Sequence, residues 1–243
     1  MWRTWHSCYF SDSLCRRCRT SYQGFLRRVR HLSDPTFVVP KVLAIVDYDY
    51  AGSTTKWLET IRRLSDLPND PSIGVQVRVK SQTGSDLLDL ATQAQTSFKN
   101  EVVYFGWNGS LDICRRAGYK ACHHPEHAIE IVGCQLASVI QSASVHSTNA
   151  LRHAEKAGVS FAIFAPVFQP KWKTVKPSGL SGLKGIVEQA AIPIIALGGI
   201  TEDDLPQINA SGAHGFGLLS QVMDATDPVN TIMSMQYRWN ALH

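Results

Sequence analysis

Residues Ile192 to Gln221, IPIIALGGITEDDLPQINASGAHGFGLLSQ, read as a strand, a Gly-Gly turn, a helix and a second strand. Pro193 to Leu197 is a continuous apolar run, the pattern of a strand covered on both faces. Gly198-Gly199 lets the backbone approach a ligand closely, and Thr201-Glu202-Asp203-Asp204 opens a helix with a capping residue and an acidic first turn. From Gly212 to Ser220 the chain returns as another apolar strand. Backbone N–H groups in such a turn, together with a helix N-terminus, favour a bound anion.

Working outward, strand-like and helix-like segments alternate from Lys41 onward, which predicts a parallel sheet. Val42 to Val46 reads as the first strand, followed by a helical face of Trp57, Leu58, Ile61 and Leu64. Ile73 to Lys80 is the second strand, and Leu87, Leu88, Ala91 and Ala94 mark its helix. Val102 to Phe105, Tyr119 to His123, Leu136 to Ser144 and Val159 to Val167 supply strands three to six. Helices are expected near 111–117, 149–157 and 180–190, with a helix or turn near 126–132. A last helix from about Pro228 carries Val229, Ile232 and Met233. The opening stretch then provides strands seven and eight, so eight β/α pairs predict a single (β/α)8 TIM barrel over residues 41–243. In that fold the loops after the last two strands commonly hold a phosphate. A doubly wound open sheet is the rival, but Asp47-Tyr48-Asp49-Tyr50 is not the Gly-rich turn it needs after strand one.

Residues 1–40 form a separate N-terminal extension. Seven of the 24 Lys and Arg and two of the 20 Asp and Glu lie there, a local charge of +5, which leaves −1 for the rest of the net +4. A near-neutral barrel argues against nucleic acid as partner. The leader is Arg-rich with no continuous apolar core, so it is no secretory signal, and it reads as poorly ordered or transit-like. No run of 18 apolar residues predicts a membrane span. A cytoplasmic protein is expected, with an organellar destination left open by the leader. Cys15 and Cys18 form a lone CxxC without a second pair, and the six cysteines suggest no disulfide framework. Oligomeric state, a homo-oligomer included, stays open.

Strand two alternates valines with Gln76, Arg78 and Lys80, which places the polar set on the inward face at the barrel mouth. Two cations and an amide on one enclosed stripe call for an anion or for internal salt bridges. His146, just past strand five, stands where barrel enzymes do their chemistry and is suited to acid/base work, with a structural histidine as the alternative. Cys122, His123, His124, Glu126 and His127 suggest zinc, but alternation sends Cys122 and His123 to opposite faces, so no metal site is expected.

Taken together, these segments resemble the thiamin phosphate synthase/TenI family from residue 41 to about 235. Gln76, Arg78 and Lys80 match its QxRxK motif, and Ser144-Val145-His146-Ser147 its strand-five motif. Pro166-Val167-Phe168 with Lys173 and Gly179-Leu180 is similar to its strand-six motif, and Ile195 to Ile200 to its phosphate loop. The resemblance implies a thiazole phosphate ligand held by Lys173, Gly179, Gly198, Gly199 and Ser220. Gln76, Arg78, Lys80, Asn108 and Ser144 would line the mouth. It also implies one of two reactions. The synthase joins a pyrimidine diphosphate to thiazole phosphate with magnesium on two aspartates, but here Asn108 is followed by Gly109 and the turn after strand four has no aspartate. The TenI branch, a thiazole tautomerase without metal or other cofactor, is the preferred expectation, with His146 as acid/base. Magnesium is expected only for the synthase. A barrel that binds the ligand without turnover is the remaining alternative.

Overall fold

The structure, a computed structural model, describes residues 37–101, 103–131, 139–171 and 174–242. The leader reading therefore lies outside the described residues, apart from its last four positions.

Eight parallel strands close into a barrel in chain order. They are β1 (Val42–Asp47), β2 (Ile73–Arg78), β3 (Tyr104–Asn108), β4 (Ala121–His124), β5 (Ile140–Val145), β6 (Phe161–Phe164), β7 (Ile194–Leu197) and β8 (Gly215–Leu218). Closure is made by β1 against β8, with Val42 opposite Phe216 and Ala44 opposite Leu218. The open-sheet rival is thereby set aside.

Nine α-helices are described: α1 (Tyr48–Ala51), α2 (Thr54–Arg63), α3 (Gly84–Ser97), α4 (Leu111–Arg116), α5 (Thr148–Ala157), α6 (Gly179–Val187), α7 (Leu205–Ala210), α8 (Ser220–Met223) and α9 (Pro228–Asn240). Their starts follow from capping chemistry. Ser53 accepts the Lys56 N–H at the head of α2, and Ser147 accepts the Ala150 N–H at the head of α5. Before α7, the Asp204 carboxylate takes the Thr201 backbone N–H at 2.7 Å, which fixes the exit from the Gly-Gly turn. No described helix is long and apolar enough to cross a membrane.

The principal apolar core lies between the sheet and the helices. Trp57, Trp107 and Trp239 are fully buried, with the Trp57 indole donating to the Val46 carbonyl at 3.1 Å. Each such side chain contributes on the order of 2–3 kcal/mol of transfer free energy.

Two expected registers shift. Strand three runs from Tyr104 to Asn108 rather than from Val102 to Phe105. On α3 the buried positions are Leu90, Ala91 and Ala94, while Leu87 and Leu88 are only half-buried. The expected strand-five start at Leu136 falls outside the described residues, and the observed strand begins at Ile140.

Candidate functional site

The strands' C-terminal ends enclose a cavity of about 630 Å³, within the range of small-molecule sites. Each strand contributes a lining side chain or glycine: Ile45, Gln76, Asn108, His123, Ser144, Ile163, Leu197 and Gly217 in order from β1 to β8. Period-two alternation produces this ring. Val75, Val77 and Val79 are buried on the other face of β2, so Gln76 and Arg78 turn inward. Lys80 lies just past the strand end, exposed at the mouth.

The cationic stripe has an internal partner. Arg78 Nε donates to Asp47 Oδ2 at 2.5 Å, with side chains 18% and 4% exposed. The same Asp47 caps α1 by accepting the Tyr50 N–H through its other oxygen at 2.8 Å. The guanidinium is thus oriented by a buried carboxylate. Beside it, Gln76 Oε1 is buried in the cavity wall without a hydrogen-bond partner, which suits a ligand donor at that spot.

Across the cavity, the Gly198-Gly199 turn carries positive φ angles of 107° and 63°. Its glycines are demanded first by the strand-six loop. A Cβ on Gly198 would stand 2.7 Å from Pro166 Cβ, and one on Gly199 would stand 2.6 Å from the Gln169 carbonyl oxygen. The two loops are tied by backbone bonds from Val167 N to Leu197 O and from Phe168 N to Gly198 O, both 2.9 Å. Close approach to a ligand was the expected reason for these glycines; close approach to a neighbouring loop is the one the packing gives. Ser220, the first residue of α8, completes this wall with Gln221, whose amide donates to the Ile200 carbonyl.

Beneath the mouth, His123 bridges two serines. Its Nδ1 lies 2.9 Å from Ser142 Oγ and its Nε2 lies 2.8 Å from Ser144 Oγ. Burial, with lesser contributions from His124 and Arg78, pushes His123 down to about 3, so the ring is neutral. Burial also lowers His124. Cys122 points the other way, its Sγ near the Gly109 carbonyl, and its thiol is pushed up by Cys114 and by burial. The two neighbours therefore sit on opposite faces.

His146 follows β5 at the rim. Its Nδ1 lies 2.5 Å from the Ala165 carbonyl, which can only accept, so Nδ1 carries the proton. Nε2 is left as the nitrogen that can exchange one, 3.9 Å from Glu126 Oε2.

The expected residues divide as follows. Gln76, Arg78, Lys80, Asn108, Ser144, His146, Gly198, Gly199 and Ser220 all line the one cavity. Gly179 does not: it heads α6 with its N–H committed to the Val167 carbonyl at 3.0 Å, so that donor is not available to phosphate. Lys173 lies outside the described residues. Glu126 was missed as a site residue. It is the cavity's one carboxylate among the described residues, and its partner His146 is 20 positions away, where no local pattern reaches it.

Comparison with known proteins gives a consistent neighbourhood. The family model described as "Thiamine monophosphate synthase" matches residues 53–222. The thiamine-phosphate synthase of Pyrococcus furiosus is 36% identical over 156 residues, covering 63% of this chain and 75% of that protein. The thiamine-phosphate synthase of Vibrio campbellii is 28% identical over 162 residues, covering 63% and 78%. Among solved structures, a thiamine phosphate pyrophosphorylase from Pyrococcus furiosus superposes with a TM-score of 0.65 at 22% identity, covering 83% of this chain and 96% of that one. That last likeness speaks for the fold. The relatives' names favour the synthase, the alternative in the sequence reading, and lend no support to its preference for the tautomerase.

Proposed function

Since the chain belongs to the thiamine monophosphate synthase family, we propose that its cavity binds a thiazole phosphate and that His146 moves a proton on that ring. The thiazole phosphate is common to both reactions implied by the family resemblance. Its phosphate is assigned to the Gly198-Gly199 turn and Ser220, with Arg78 and Lys80 meeting a second anionic group across the mouth. The observation that carries the reaction is the setting of His146: Nδ1 is committed to the Ala165 carbonyl and Nε2 remains for exchange beside the cavity.

In this reading the substrate is a thiazole carboxylate phosphate with an exocyclic double bond. His146 Nε2 takes the ring C–H proton, and that bond's electron pair enters the ring. The pair of the exocyclic double bond then takes the proton back at the exocyclic carbon. One proton has moved, no electron has been lost or gained, and the ring is aromatic. General acid–base help of this kind is worth about 10²–10⁴-fold.

Magnesium, implied for the synthase, fits this mouth poorly. Ions bridging a diphosphate are held by one or two carboxylates. Glu126 is the single cavity carboxylate among the described residues, and it is engaged by the His146 backbone N–H. Gly109 stands where the resemblance implies an aspartate. No group of three His, Cys, Asp or Glu among the described residues is placed to hold a metal.

The second reading is the synthase itself, and the relatives' names carry it. One pair of assays separates the two. Aromatisation of the thiazole carboxylate phosphate is expected without added metal, and His146→Ala should lower its kcat by about 10²-fold or more. Magnesium-dependent release of diphosphate from pyrimidine diphosphate plus thiazole phosphate, with no aromatisation, would overturn the proton-transfer reading and establish the synthase.

A further inference from the structure

Glu126 reaches His146 in two ways. Its Oε2 accepts the His146 backbone N–H at 2.9 Å, and the same oxygen lies 3.9 Å from the ring's Nε2. The ring is held on its other side by the Ala165 carbonyl at 2.5 Å. Three loop segments therefore meet at one imidazole: the turn after β4 through Glu126, the end of β5 through His146 itself, and the end of β6 through Ala165. The carbonyl keeps a proton on Nδ1 in every state of the ring, so any change of charge takes place at Nε2, on the side the carboxylate faces.

We infer that Glu126 is a positioning residue for His146, fixing its backbone and stabilising the positive charge the ring acquires when Nε2 takes a proton. The inference rests on the acid/base role proposed above for His146. No metal, redox step or additional reactant is involved. The side chains are 54% and 36% exposed for His146 and Glu126, so solvent screens the pair. The charge effect is accordingly modest, about fivefold in rate, the equivalent of the upper end for an exposed ion pair. The backbone clamp is a separate contribution, because a mobile rim would misplace the ring relative to a bound substrate.

Two variants of the full chain separate these parts. Glu126→Gln keeps a side-chain oxygen for the His146 N–H but removes the charge; Glu126→Ala removes both. For proton transfer, Glu126→Gln should lower kcat about fivefold with KM unchanged. The ratio of wild type to variant should narrow towards one at about 1 M salt, where charges are screened within about 3 Å. An unchanged kcat, or a loss that appears in KM alone, would overturn the charge role. Amide hydrogen exchange tests the clamp without turnover: the His146 N–H should be protected in wild type and Glu126→Gln and unprotected in Glu126→Ala. Equal exchange in wild type and Glu126→Ala would overturn the clamp. A wild type that turns over no thiazole substrate overturns the parent reading and the charge role together, while the exchange result still decides the clamp on its own.

Discussion

His123 makes the protein acid-sensitive in a window that can be worked out beforehand. The ring is 1% exposed and hydrogen-bonded at both nitrogens to Ser142 and Ser144. Burial, then His124 and Arg78, push it from the ordinary 6.5 down to about 3. Between those values the unfolded chain takes a proton there and the native protein does not. The stabilisation from keeping the ring neutral is therefore complete above the unfolded value and is lost as pH falls towards the folded one. Each pH unit within that interval costs about 1 kcal/mol or a little more, so the fall from about pH 6.5 to about pH 4.5 removes about 2 kcal/mol. His124, lowered by burial too, adds in the same direction. Carboxylates begin to titrate at the low end of this window, and whatever they contribute cancels when wild type is compared with His123→Asn. The assay is urea unfolding at several pH values in that range. His123→Asn should start from lower stability, having lost a hydrogen-bonded ring, but its stability should fall with pH by about 2 kcal/mol less than wild type. Parallel pH dependences for the two proteins would refute a buried neutral His123.

Three further substitutions test the Gly-Gly turn and the carboxylate that orients Arg78. Gly199→Ala should destabilise by about 3 kcal/mol, combining the cost of a left-handed residue with overlap on the Gln169 carbonyl 2.6 Å from the new Cβ. Gly52→Ala, at a positive φ with nothing within 4 Å, should lose only about 1 kcal/mol by the same urea titration. Asp47→Asn leaves the largely buried Arg78 guanidinium without its carboxylate and should cost about 2–4 kcal/mol, read as a lowered denaturation midpoint at unchanged m-value.

The barrel was legible where apolar runs were unbroken. Val42 to Val46 and Ile194 to Leu197 are buried strands because nothing polar interrupts them. Strand three was misplaced because its observed span, Tyr-Phe-Gly-Trp-Asn, contains a glycine that normally marks a turn. Gly106 is there because the Tyr104 ring folds over it: an added Cβ would lie 2.6 Å from that hydroxyl. On α3, Leu87, Leu88 and Leu90 offer overlapping stripes, and only packing against the sheet selects the one through Leu90. In the cavity, the polar alternation of β2 and the Gly-Gly turn announced themselves locally. The Arg78–Asp47 pair, the serines on His123 and the Glu126–His146 contact join residues 19 to 31 positions apart. Such pairs follow from the lateral pairing of neighbouring strands, which sets Asp47 opposite Arg78 and His123 opposite Ser142, and have no signature in a window of sequence.

The backbone ties between the strand-six loop and the Gly198-Gly199 turn constrain how this site can be altered. Val167 and Phe168 borrow the carbonyls of Leu197 and Gly198, and Pro166 and Gln169 occupy the space that side chains at 198 and 199 would need. Neither loop is a replaceable part. A designer who transplants a strand-six segment from another barrel, hoping to change what the mouth accepts, must bring its matching turn after β7 as well. The two form a single cassette, and the unit of exchange between such barrels is the pair.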